Sequence, residues 1–349
     1  MRRIAYNTRM TEITLVLPFS LPPPELAPDL VRALNTPALA ALLSRTSSQV
    51  ALRQADAGAR ALPHELWLAR ALGLSDGRSV PFAAAAMRGY GLDPAAGSWY
   101  IVNPAHIAIS RTYLMMADSR RLELVESHSR ALFDSARPYF DDSGHTLLYG
   151  DAMTWFLRAD AWGTLDSASL DAATGMNLTE WLPLGEHAIA YRKLQNEVQM
   201  LWHGHPANAE REARGFAPIN AFWPWGSASG LDVVSPASNL ACGGAPPWLA
   251  AIAREHGTAF AELLTAGRNV TFCDARLTEA ALATDWAGWL QHMQRLEQDI
   301  FTPLLGALAA GVGKARLVLS HRNALAEFTT TSMAQRTFWR RPTLDRLLP

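Results

Sequence analysis

Hydrogen-bonding side chains are densest between residues 192 and 226. Arg192-Lys193-Leu194-Gln195-Asn196-Glu197 is followed by His203-Gly204-His205-Pro206-Ala207-Asn208, then Arg211, Arg214, Asn220 and Trp225. Two guanidiniums at this spacing could clamp a carboxylate or phosphate through paired N–H donors. Asn208, Asn220, His205 and the Trp225 indole would add neutral hydrogen bonds, making these six the candidate ligand-binding residues. The same residues also have a purely structural reading, in which the amides hold turn backbone and the arginines face solvent. His203 and His205 have an HxH spacing that serves a metal on a strand. Here it straddles a helix end, so capping is expected and no metal site is assigned.

Other chemistry is thinly signalled. The chain has no GxSxG, Walker loop, HExxH or GxGxxG motif, so no catalytic residue can be named. Trp223, Trp225, Trp286 and Trp289 stand at strand or helix spacing and read as core rather than as a stacking platform for bases. Lys+Arg 31 against Asp+Glu 32 leaves a net charge of -1, with no global footprint for nucleic acid or an anionic membrane. The hydrophobic fraction of 49% supplies a large core in 349 residues and excludes a disordered chain. No run reaches the roughly 18 apolar residues of a membrane span. Two cysteines, Cys242 and Cys273, fit a reducing compartment, and a cytoplasmic protein is expected. The basic opening Met1–Arg9 lacks the apolar run of a signal peptide, and Met10 is an alternative start.

The positioning elements alternate between helix and strand. Ile13–Leu17 reads as a buried strand stopped by Pro18, and Thr36-Pro37 as a helix start with Thr36 as N-cap. Ser98–Val102, Thr112–Met116, His145–Tyr149 and Thr154–Leu157 are strand-like around a helix from 122 to 140, which suggests an antiparallel α+β module. Beyond it a helix over 187–202 stops at Gly204, and Ile219–Trp223 is strand-like. Pro247–His256 reads as a helix closed by Gly257, followed by a strand over Asn269–Cys273. From Asp285 a long helix aligns Trp286, Leu290, Met293, Leu296, Ile300, Leu304 and Leu308, with a kink expected near Asp299 because Pro303 has no N–H. Arg316–Leu319 is the last core strand. The expected fold is α/β, a mostly parallel sheet sandwiched by helices, with an inserted α+β module. The core would comprise 11–60 and 181–349, and the module 61–180.

His205-Pro206-Ala207-Asn208 through Arg211 and Arg214-Gly215, continued by Pro218-Ile219-Asn220 and Trp223-Pro224-Trp225-Gly226, resembles the HPxNxxRxxxGxxPxNxxWxWG stretch of archaeal-type cofactor-independent phosphoglycerate mutases. Thr36–Leu42, Gln294–Asp299 and Leu317–His321 resemble that family's TPxLDxLA, KxxxIExxD and last-strand segments. The resemblance implies the alkaline-phosphatase-like fold. That family's metal-binding Asp after the first strand is replaced here by Leu17-Pro18-Phe19. Its DxxxH set becomes Asp274 to Leu282 without a histidine, and its late Asp-His pair becomes Ser320-His321. Without two ions, in-line phosphoryl transfer loses its nucleophile activation and charge neutralisation. A nearer resemblance is to the RpfE-type regulatory proteins, through Leu62–Arg70, Trp99–Ile107, Trp181–Gly185 and Arg192–Met200; Asn103-Pro104 stands where that group has DP.

These readings imply a phosphoglycerate-mutase-like regulatory protein without metal-dependent phosphotransfer and without a cofactor. It would bind a phosphorylated or carboxylate metabolite, or a protein partner, at the six residues above. The alternative is an active mutase or phosphotransferase with a diverged metal set drawn from His203, His205 or His321. A purely structural partner-binding protein would instead expose an apolar patch around Trp99 or Trp155.

Overall fold

The structure is a computed structural model that describes residues 11–54, 59–110, 113–163, 165–235 and 238–349. The basic segment up to Met10 lies outside the described residues.

Apolar side chains at alternate positions build two sheets and three cores. The larger sheet has seven strands. Five run parallel in the order β10 (Glu255–His256), β9 (Leu240–Gly243), β11 (Val270–Asp274), β1 (Glu12–Leu17) and β12 (Lys314–Ser320). Antiparallel β13 (Ala324–Thr331) and β2 (Ser48–Gln54) complete one edge. Because side chains alternate across a strand, Ile13, Leu15 and Leu17 of β1 face one core with Leu317 and Leu319 of β12, while Val16 and Val318 face another. A central strand buried on both faces reads as a continuous apolar run, as Ile13–Leu17 does. The fold class is the expected one: mixed α/β, with a mostly parallel sheet flanked by helices.

The smaller sheet is antiparallel, in the order β6 (Thr146–Asp151), β7 (Thr154–Arg158), β3 (Ser98–Ala105) and β8 (Ala221–Ser229). A two-stranded hairpin, β4 (Ile107–Ser110) and β5 (Tyr113–Met116), stands beside it. The strand read around Ile219–Trp223 does not join the parallel sheet. As β8 it pairs with β3, so the antiparallel sheet takes strands from both sides of residue 181. Trp99, Ile101, Trp223 and Trp225 point into the middle core between the sheets; Tyr100, Val102, Trp155 and Phe222 point into the outer core under the helices Glu126–Asp142 and Ala188–His203. Trp99 and Trp155 are thus buried.

Helices Pro63–Ala71, Ala83–Gly89 and Pro247–Ile252 fill the space between the sheets. The last is shorter than the sequence suggests, because Glu255–His256 leaves it to extend the parallel sheet. Gly89 lets two of these helices touch: a Cβ there would sit 1.9 Å from the Ala251 carbonyl oxygen.

Two local expectations are met differently from how the sequence reads. Thr36 is the N-cap of the helix Pro37–Ser44, but its hydroxyl has no hydrogen-bond partner among the described residues. Glu297 caps that helix instead, accepting from the Ala38 and Leu39 N–H groups at 2.5 and 3.1 Å, where a carboxylate also meets the positive end of the helix dipole. The expected kink before Pro303 is a π-helical turn over Glu297–Phe301, joining the helices Trp286–Leu296 and Thr302–Ala310. The extra residue absorbs the missing proline N–H, and the turn carries both Glu297 and Asp299.

Candidate functional site

In open α/β sheets ligands gather outside the carboxyl ends of the parallel strands. Here those ends bring together Pro18-Phe19 after β1, Asp274 at the end of β11, Ser320 at the end of β12 and Gly243-Gly244 after β9. Asp274 is fully buried and held by one arginine: Arg276 Nη2 lies 2.7 Å and Nε 2.9 and 3.1 Å from its oxygens, and the Arg276 backbone N–H adds a bond at 3.1 Å. The other face of that guanidinium meets Asp299 at 2.7 Å, on the π-helical turn. Ser320 Oγ, also buried, accepts from the Phe19 N–H at 3.3 Å and contacts His64 Nδ1 at 3.2 Å. Burial holds the His64 pKa down to about 4, with Asp171 opposing and Arg120 reinforcing the shift, so the imidazole is neutral. Phe19 adopts φ 57°, a left-handed conformation unusual for a bulky residue, held by bonds from both of its backbone polar groups.

A pair of divalent cations needs several carboxylates or imidazoles converging on one point. These strand ends offer one carboxylate already neutralised by a guanidinium, one hydroxyl and one buried neutral imidazole. Among the described residues no three His, Cys, Asp or Glu side chains come together to hold a metal ion. The residues present do not fit the bimetallic centre that the sequence resemblance implies.

Space for a ligand opens beside these strand ends, next to Gly244 and between the two sheets. A cavity of about 190 Å³ is walled by Trp225 of β8, Trp248 after β9, Asn103 of β3, Glu65 and the Arg120–Asp171 pair. Trp225 and Trp248 meet edge to face with ring centres 5.1 Å apart, and Phe82 stacks on Trp248. The Trp225 indole donates to Asn103 Oδ1 at 2.6 Å while Asn103 Nδ2 donates to the Met153 carbonyl. An aspartate in place of Asn103 could not make the second bond. Arg120 bridges Asp118 at 2.8 Å and Asp171 at 2.6 Å; burial works against its charge, but the two carboxylates more than offset this and raise its pKa.

A second cavity, of about 390 Å³, shares the Ser119, Arg120 and Met153 walls and adds Glu123, His128 and Arg214. The Arg214 guanidinium lies over the Phe216 ring, 5.4 Å from its centre, and has no ion-pair partner among the described residues. The shared Arg120 thus stands between a Trp-walled chamber and a more open basic one.

A chain of known structure shares this architecture. The chain is similar to the PH0037 protein of Pyrococcus horikoshii, with 12% identity, a TM-score of 0.57, and 97% of this chain and 92% of that chain covered. It is also similar to the cofactor-independent phosphoglycerate mutase of Thermoplasma acidophilum DSM 1728, with 13% identity, a TM-score of 0.47, and coverage of 97% and 94%. No family model and no curated protein matches the sequence. At such identity the likeness to the Pyrococcus protein establishes a shared fold.

The six residues singled out in the sequence separate into two groups. Arg211 is fully buried, and its donors go to the backbone carbonyls of Ala217, Leu122 and Glu123. Asn208 bonds the Trp202 and Ile219 carbonyls and the Ile219 N–H, each at 2.8 Å. Asn220 pairs with both backbone groups of Ile107. His205 caps the helix Pro206–Ala213 through Nδ1, and burial lowers its pKa. These four spend their polar groups on the protein and hold the 205–220 segment against the hairpin and the outer core. Only Arg214 and Trp225 line the cavities. His203 ends its helix, and His321 accepts from the Asn323 N–H; the two do not converge with His205 on a metal site.

The cavity residues that sequence reasoning missed are Glu65, Asn103, Arg120, Asp171 and Trp248. Glu65 carried a readable signal. Pro63 opens a helix and Glu65 stands at its third position, where a glutamate reaches back to the preceding N–H, as it does to Leu62 at 2.7 Å. Arg120 and Asp171 meet across 51 residues of sequence, and no local pattern announces such a pair.

Proposed function

We propose that this chain is a phosphoglycerate-mutase-like regulatory protein of the RpfE type, without metal-dependent phosphotransfer, that binds an anionic metabolite in the two adjoining cavities that share Ser119, Arg120 and Met153. One contrast carries the reading. The strand ends where such a fold would do metal chemistry are closed by Arg276 and His64, while Arg214, with no ion-pair partner among the described residues, lines a chamber of about 390 Å³. Arg214, Arg120 and Ser119 supply donors for a phosphate or carboxylate, and the Trp225–Trp248 chamber takes the rest of the molecule. The resemblance of the His205–Gly226 stretch to the mutases supports a small phosphorylated acid as ligand class. Buried cysteines with no disulfide accord with a cytoplasmic location.

Titration calorimetry with 3-phosphoglycerate, 2-phosphoglycerate and related phosphorylated acids tests this reading. The expected result is binding of at least one of them, weakened by Arg214→Ala, with no mutase activity and no stoichiometric manganese or zinc in the purified protein. Failure of every acid to bind, or metal-dependent turnover, overturns it.

A further inference from the structure

Glu65 is the buried acid that the structure leaves half used. Its residue is 3% exposed, yet it forms part of the wall of the Trp-lined chamber. Oxygen Oε2 accepts two hydrogen bonds, from the Leu62 N–H at 2.7 Å and from Ser169 Oγ at 2.6 Å. Oxygen Oε1 has no partner among the described residues. With Oε2 already accepting twice, a proton on this carboxyl group belongs on Oε1, which would make Glu65 an O–H donor in the chamber wall.

The surroundings keep that proton in place. Burial, reinforced by the negative charge of Asp171, pushes the Glu65 pKa up to about 8, while the bonds from Ser169 and Leu62 and the charge of Arg120 pull the other way. The charged and titratable groups facing Glu65 are Asp171, Arg120, Arg322 and its neighbour His64, which burial keeps neutral. Arg322 is fixed by the Ala172 and Thr174 carbonyls at 2.9 and 3.1 Å, and Arg120 by its two aspartates. None of these cations bonds to Glu65.

We propose that Glu65 is the specificity group of the inner chamber, a neutral acid that donates its Oε1 proton to a carboxylate oxygen of the ligand and admits that group in preference to a phosphate. The proposal rests on the reading of the cleft given above and names which end of the metabolite enters which chamber. An O–H···O⁻ bond between an acid and a carboxylate is short and charge-assisted, and the apolar Trp225 and Trp248 walls strengthen it by excluding water. A phosphate dianion would bring two charges beside Asp171 with Arg120 as the one cation in the chamber wall; the outer chamber, with Arg214 and Arg120, suits it better. Once Glu65 ionises, donor becomes acceptor, and two carboxylates face each other.

Calorimetry with 3-phosphoglycerate and with glycerol 3-phosphate, which lacks the carboxylate, between pH 7 and 9.5 tests the proposal in a range where both phosphates are already ionised. Affinity for 3-phosphoglycerate should fall more than tenfold as pH rises through the Glu65 pKa, and glycerol 3-phosphate should show no such fall. In Glu65→Gln, whose amide N–H imitates the protonated acid, the pH dependence should disappear. Persistence of the dependence in that variant, or an equal fall for glycerol 3-phosphate, overturns the role of Glu65 while leaving the anion site standing. Absence of binding by both ligands overturns the two readings together. Infrared spectroscopy of the ligand-free protein supplies an independent arm. At pH 7 the wild type should show a protonated carboxyl C=O band that Glu65→Gln lacks, and its absence from the wild type ends the proposal whatever the ligands do.

Discussion

At the carboxyl ends of the parallel strands, Asp274 is buried against Arg276, and Ser320 against His64 and the Phe19 N–H. Among the described residues, Glu65 Oε1 in the chamber between the sheets has no hydrogen-bond partner, and Arg214 in the chamber beside it has no ion-pair partner. Both regions hold polar groups, but those at the strand ends bond one another, whereas the buried Glu65 Oε1 and the exposed Arg214 guanidinium have no such partner among the described residues. Buried polarity alone therefore does not mark a site. The informative feature is a buried group with unused hydrogen-bonding capacity, because leaving such a group unpaired costs about 1–3 kcal/mol unless water or a ligand completes it.

The closed region should answer most strongly to mutation. Arg276→Ala strands the Asp274 carboxylate in the core and should cost about 3–5 kcal/mol, measured by urea unfolding. Removing both charges together, in Asp274→Asn with Arg276→Met, should cost clearly less. If Arg276→Ala unfolds at the wild-type urea concentration, Asp274 is not confined as its geometry requires, and the contrast between the regions weakens.

Arg211 extends the closed category to the loop that the sequence made most conspicuous. Arg211→Ala removes every donor to the Ala217, Leu122 and Glu123 carbonyls and should destabilise by about 2–3 kcal/mol. Its residual folded population should bind anionic ligands with near wild-type affinity. An affinity loss without a stability loss would return Arg211 to the binding residues.

How far the sequence foretold this molecule depends on the range of the interactions involved. Strands with continuous or alternating apolar residues, such as Ile13–Leu17 and Ser98–Val102, were readable because burial on one or both faces imposes its own period. The π-helical turn was foreshadowed by Pro303, and the stop after His203 by Gly204. The sheet to which a strand belongs was not readable: Ile219–Trp223 is as apolar as a parallel core strand, and only its antiparallel pairing with β3 settles the matter. The helix cap shows the same limit, since Thr36 has the right type and position while a carboxylate 259 residues from the Ala38 N–H it caps does the work. For the candidate site, polar density drew attention to four residues whose bonds stay within the protein and to two that line the cavities. Asn208, Arg211, Asn220 and His205 form a motif because a tight loop needs their bonds, whereas Glu65, Arg120 and Asp171 are scattered along the chain and converge only in three dimensions.

Glu65 should also be visible in the pH dependence of stability. Its folded pKa of about 8 lies above its unfolded value, so its contribution is fully present below the unfolded pKa and is lost as pH rises through the folded one. His64 works in the opposite sense: its folded pKa of about 4 is depressed, so its contribution holds above the unfolded value and is lost as pH falls toward 4. Between the two unfolded values the slopes oppose each other. Above about pH 6.5 the Glu65 slope stands alone, at about 1.4 kcal/mol per pH unit until pH 8. Glu65→Gln should flatten that limb by about 2 kcal/mol in total, read from urea midpoints at pH 6.5 and 8. An unchanged slope in the variant would mean that the carboxyl is ionised in the folded protein.

The smallest effect on stability belongs to the residue with the largest expected effect on binding. Arg214 is exposed, lies over Phe216 and has no ion-pair partner among the described residues, so Arg214→Ala should shift stability by no more than about 0.5 kcal/mol. A guanidinium that bonds a phosphate or carboxylate in a partly enclosed chamber contributes on the order of 1.5–3 kcal/mol, so the same substitution should weaken phosphoglycerate binding by at least tenfold. Arg214→Lys should recover only part of the loss, because an ammonium carries the charge without the planar fork. Full recovery by lysine would show that charge alone is read. Equal losses of stability in Arg214→Ala and Arg211→Ala would erase the distinction between the closed and open regions, since the two arginines stand three residues apart on one short segment and differ in whether the protein itself uses their donors.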